Sequence, residues 1–276
     1  MKKIILSLSI LVTLFSACKK EDETHHTSDI DPNRSGYITI EFDNKVGSLG
    51  LVLDSPFYTN SFNQSYSISK FDYFISNIVF VNSDGSSYTV PQDSSYFLIK
   101  ENVASSREIS LRIPEGNYTA VKFMVGIDSL RNTKPATERT GVLDVGGAAA
   151  GMYWTWNSGY IFLKMEGSFD DPTDSILTGT PYIFHIGGFG GYSSPTLNNI
   201  KTVSLAFGAE NAQVREEHGT DGPMVHLYVD AGKLVDGPTK VDYKLNTVVM
   251  FSPYSVNIAN NYAGMFTVDH VHNHEH

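Results

Sequence analysis

The chain has 276 residues, with 20 Lys and Arg against 30 Asp and Glu, a formal charge of −10, and only 18% charged residues beside 41% hydrophobic ones. An acidic chain without a basic cluster cannot release the counterions on which nucleic-acid binding depends, so nucleic acid is excluded as a partner. A single cysteine in the whole sequence excludes a disulfide framework and leaves that thiol in need of another purpose.

The N-terminus supplies one. Lys2 and Lys3 precede an uncharged stretch over residues 4–17. At about 1.5 Å per helical residue, such a stretch falls short of a hydrocarbon core of about 30 Å. Residues 1–17 therefore read as a signal peptide, not a membrane span. Phe15-Ser16-Ala17-Cys18 reads as a lipobox, with Cys18 as the lipidated N-terminus; an ordinary secretory signal with an incidental cysteine is the alternative. Lys19-Lys20-Glu21-Asp22-Glu23 resembles the export signal of some surface lipoproteins. The expectation is an outer-membrane lipoprotein, periplasmic or surface-exposed, attached to the membrane by its lipid. Residues 18–35 are polar, contain Pro32 and lack apolar periodicity, as in a flexible tether.

Residues 36–276 form the domain. Its 15 Tyr and 16 Phe, with 23 Gly and 11 Pro, suit short strands joined by tight turns. Strand patterns follow at residues 37–42, 66–81, 96–100, 108–113, 118–127, 160–169, 182–186, 203–207 and 225–229. Asp84-Gly85 and residues 114–117 are turns. Residues 128–158 are long and irregular, and Pro253 introduces a short helix over residues 253–263. The predicted architecture is all-β: one antiparallel β-sandwich with long irregular loops and one short helix near the C-terminus. No repeat or second-domain linker interrupts it, and a monomer is expected.

No GxSxG, HExxH, phosphate-loop or dinucleotide-binding constellation is present, so a non-enzymatic role is expected. Gly187-Gly188-Phe189-Gly190-Gly191 lacks the lysine and following helix of a phosphate cradle. The histidines carry more information. His185 ends a strand-like run, and His270 and His272 lie two apart in the terminal segment 266–276, which also holds His274 and His276. Side chains two apart in an extended strand share a face, so His270 and His272 can address one ion, and neutral imidazole is a common ligand for copper and zinc. The alternative for His-x-His is a solvated tail. Both tryptophans, Trp154 and Trp156, fall in one short segment, where packing is their default role.

MYWTWNSGYIFLKMEG (152–167), FHIGG (184–188) and MFTVDHVHN (265–273) resemble the MbnP-like copper-binding proteins. YFISNIVFVNSDG (73–85) and PEGNYTAVKFMVGIDS (114–129) are similar to that family too. The resemblance implies a secreted β-rich protein, often paired with a dihaem peroxidase-like enzyme, in which a tryptophan oxidised to kynurenine is linked to copper. Carried over, it points to Trp154 or Trp156 for oxidative modification and to His185, His270 and His272 as metal ligands. The expected function is that of a cell-envelope lipoprotein binding copper for acquisition, storage or handling. The alternative is a metal-free, surface-exposed sandwich module recognising a ligand such as a glycan, or a protein.

Overall fold

The structure is a computed structural model that describes residues 30–55, 57–156 and 159–273. The expected signal peptide, Cys18, most of the tether, His274 and His276 lie outside the described residues. The strands in chain order are β1 (Ser35–Val46), β2 (Leu49–Gly50), β3 (Tyr58–Thr59), β4 (Ser65–Asn82), β5 (Ser87–Thr89), β6 (Tyr96–Lys100), β7 (Glu108–Pro114) and β8 (Gly116–Val125). They continue with β9 (Tyr153–Trp154), β10 (Gly159–Asp170), β11 (Thr180–Gly187), β12 (Lys201–Ala206), β13 (Ala212–Val214), β14 (Met224–Asp230), β15 (Val248–Val249) and β16 (Phe266–His272). Three short helices, α1 (Ser129–Asn132), α2 (Lys233–Asp236) and α3 (Ser255–Tyr262), are inserted between them. Among the described residues no helix is long and apolar enough to cross a membrane.

The strands make two sheets. The smaller has five strands in the order β16-β14-β1-β2, with β7 also on β1; the larger has eleven, its spine running β12-β8-β4-β10-β11-β15. Alternation in the sequence decides which side of each strand is dry. In β1, Ile38, Ile40 and Phe42 are wholly buried while Thr39, Glu41 and Asp43 face out; Val225, Leu227 and Val229 do the same for β14. The sheets meet through aromatic side chains. Phe42 of the small sheet lies 6.3 Å from Tyr73 and 6.1 Å from Phe123 of the large one, edge to face, an arrangement that adds to simple area burial.

The all-β sandwich is therefore present, with a correction to its predicted antiparallel character. β1 pairs in parallel with β14, and β11 with β15. Parallel neighbours need a long connection, and most of the chain runs between β1 and β14. The C-terminal helix forms within its predicted segment. Residues 128–156 contain α1, β9 and two 3-10 turns (Ala136–Glu138 and Gly141–Leu143), tied to the large sheet by Lys100 Nζ on Ala148 O at 2.7 Å and Lys164 Nζ on Gly151 O at 2.5 Å.

The end of the expected tether is docked. The Asp31 amide donates to Glu115 Oε2 at 2.9 Å, and Arg34 reaches the same oxygen at 3.1 Å. Glu115 Oε1 accepts the Glu216 amide at 2.9 Å. Burial raises the Glu115 carboxyl pKa, but the two amides and Arg34 outweigh it and hold the group below its usual range.

Candidate metal centre

The tryptophan segment folds back on the large sheet. Trp154 pairs with Gly159 in the β9–β10 hairpin and is 4% exposed, whereas Trp156 is 63% exposed. Their ring centroids are 5.3 Å apart. Trp154 Nε1 is a buried donor with no partner among the described residues. The indole lies over Gly187, where an added Cβ would stand 2.7 Å from Trp154 Cζ3 and 2.4 Å from Tyr160 O. The two glycines of FHIGG thus have separate causes. Gly187 makes room for the indole, and Gly188 adopts a left-handed φ of 114° that side chains avoid.

His185 occupies the same outward face of β11, two residues before Gly187. Its Nε2 donates to Glu166 Oε1 at 2.7 Å, with Lys164 Nζ 3.9 Å from that oxygen. Burial pushes the imidazole below its usual pKa; the Glu166 hydrogen bond opposes this and the Lys164 charge adds to it. Burial likewise lowers Lys164, against the attraction of Glu166. His185 is therefore neutral at pH 7, its proton on Nε2 and its lone pair on Nδ1.

His270 and His272 sit on the other sheet. β16 runs antiparallel to β14, with His270 opposite His226 and His272 opposite Met224. The His226 and His270 rings stack with centroids 4.3 Å apart and planes 12° from parallel. His226 Nδ1 bonds Glu41 Oε2, and His270 Nδ1 bonds Asp269 Oδ2 at 2.9 Å.

The three predicted ligands thus do not come together. His185 is held in the eleven-stranded sheet, while His270 and His272 belong to the edge strand of the five-stranded sheet. Among the described residues no group of three or more His, Cys, Asp or Glu side chains is placed to hold a metal ion. Pairing of β16 with β14, and not with β11, separates them. His226 and Glu41 were missed by motif reading. Alternation in Met224-Val225-His226-Leu227 puts His226 on the outward face, but nothing in the sequence marks Glu41 as its neighbour.

The MbnP family profile matches residues 35–251, more than half of the chain. The chain belongs to the MbnP family. Among solved structures it is similar to MbnP from Methylosinus trichosporium, with a TM-score of 0.53 and 14% identity over 80% of this chain and 82% of that one. At that identity the likeness establishes the fold, and it agrees with the two-sheet architecture. A search of curated proteins finds no match. The family match takes in the Trp154 hairpin and His185 of this MbnP-family chain and ends before β16, so His270 and His272 lie beyond it.

Proposed function

We propose that this chain is a copper-binding protein of the cell envelope, anchored through lipidated Cys18 and acting without catalysis in acquisition, storage or handling of the metal. The observation that supports this reading is the contact between the two most distinctive motifs. Trp154 lies on Gly187, and His185 stands two residues away on the same face.

His185 has the chemistry of a copper ligand. A neutral imidazole whose other nitrogen is fixed by a carboxylate, as Glu166 fixes His185, is the usual support for a metal-ligating histidine. Imidazole suits copper, and the chain's one cysteine is assigned to the lipid, so no thiolate is left for an intense blue chromophore. Trp154 is the position for oxidative modification. Its buried Nε1 has no partner among the described residues and its indole packs on Gly187, two residues from His185, whereas Trp156 is mostly exposed, its ring tilted against that of Trp154 at 5.3 Å. The oxidant comes from outside the chain, and a dihaem peroxidase-like enzyme is the proposed partner, meeting the exposed Trp156 face.

Two experiments test the reading. Competition titration with a chromophoric copper chelator should give at least about tenfold weaker binding for His185→Ala. Parent-like affinity in that variant removes the Trp154–His185 locus as the copper site. Separately, Cys18→Ser should move the protein from the membrane fraction to the soluble envelope fraction, and undiminished membrane retention rejects the lipid anchor.

A further inference from the structure

The outward face of the five-stranded sheet carries a row of two imidazoles and their carboxylate partners. The register of three strands lines up Glu41 of β1, His226 of β14 and His270 of β16 in one row. Glu41 and His226 are far apart in sequence and meet only because β1 and β14 pair in parallel.

The last strand reaches this row through a β-bulge. The pairing of β16 steps from Val268 opposite Leu227 to His270 opposite His226, leaving Asp269 as the extra residue. Regular alternation after Val268 would have sent His270 inward and Val271 outward. The bulge reverses this: Val271 is 4% exposed, and His270 and His272 face solvent. Bulges commonly re-aim side chains at functional positions. Here the displaced residue also supplies the carboxylate that holds His270.

Both imidazoles have the same orientation logic. Each commits Nδ1 to a carboxylate, His226 to Glu41 and His270 to Asp269, and neither Nε2 has a hydrogen-bond partner among the described residues. A carboxylate on one ring nitrogen fixes the tautomer so that the other presents its lone pair. The two side chains are 23% and 56% exposed, so an ion can reach both. Their rings stack at 4.3 Å, and a shared ion requires the two Nε2 edges to tilt toward one another. Rotation about the terminal His torsion is soft, which makes that tilt inexpensive. One row along, His272 and Met224 face each other across the same strand pair, adding an imidazole and a thioether, the donor type that favours copper(I) over harder cations.

We propose that His226 and His270 form a second, surface metal site for copper, held through their Nε2 atoms, oriented by Glu41 and Asp269, and independent of the Trp154–His185 locus. The test uses the full mature chain, titrated with copper(I) against a chromophoric chelator and with zinc(II) as a diamagnetic probe in imidazole nitrogen NMR. The double variant His226→Gln/His270→Gln should lose at least about 100-fold in affinity for one equivalent of copper, and Glu41→Gln about 10- to 100-fold. Zinc should shift Nε2 of both histidines and leave Nδ1 bonded to its carboxylate. Unchanged melting temperature in each variant separates loss of ligands from loss of fold. Parent-like stoichiometry and affinity in the double variant, or nitrogen shifts confined to His185, overturn the second site and leave the Trp154 reading standing. Loss of the His185-dependent equivalent alone in His185→Ala, with the His226–His270 equivalent kept, supports two independent sites.

Discussion

Gly187→Ala should lower the stability of this protein by about 3 kcal/mol, the range of overpacking in a close-packed interior. The added methyl would meet Tyr160 O at 2.4 Å and Trp154 Cζ3 at 2.7 Å. Tyr160 belongs to β10, whose backbone is paired with β11 over most of its length, so the carbonyl cannot retreat without breaking ladder bonds. The indole is then the group that moves. Trp154 should leave its buried position, shifting tryptophan emission to the red. The melting temperature should fall by roughly 6–12 °C for a domain of this size. Gly187 does not have a left-handed φ, so the loss would come from space and not from backbone conformation. Gly50→Ala, where nothing lies within 4 Å of the new methyl, serves as the control. Identical melting and emission for Gly187→Ala and the parent would falsify the contact between the FHIGG and tryptophan motifs, and with it the argument that makes His185 and Trp154 one locus.

A second large effect is expected at Glu115, whose carboxylate receives the Asp31 and Glu216 amides and the Arg34 guanidinium. Glu115→Ala strips three donors of their acceptor, at a cost of about 2–4 kcal/mol, moderated because Arg34 can turn to solvent. The effect depends on pH. The folded-state pKa of Glu115 lies below its ordinary value of 4.5, so on acidification the unfolded chain takes up the proton first. The contribution of Glu115 is therefore complete above about pH 4.5 and declines as pH falls through the lowered folded-state value. Denaturant melts of the parent and Glu115→Gln should differ most near neutral pH and converge in acid. A difference that stays constant down to pH 3 would remove the charge from the account and leave only shape.

Much of the fold was legible because alternation is a local property. The runs over residues 66–81, 96–100 and 225–229 each became a strand, and Pro253 precedes α3. The same alternation, sampled at residues 266–272, was enough to suspect a strand under the terminal histidines. It also put His270 and His272 on one face, as they are, but could not show the step at Asp269 that turns this face to solvent, because a bulge is a property of two strands and is invisible in one.

The sequence by itself determined the class of the protein: strand-rich composition, a sandwich with long loops, and motifs specific enough to place it in its family. Tertiary structure alone decided which of those motifs share a site. It brought Trp154 onto Gly187, two residues from His185, and it sent His270 and His272 to the opposite sheet, where His270 met His226 in the row of Glu41 and His272 faced Met224. The physical reason is that residue pattern tells a strand which face to bury, a choice made every two residues, whereas the choice of neighbour rests on packing between segments that can lie most of the chain apart. A site made of residues from three strands is therefore written in the pairing, not in the spacing.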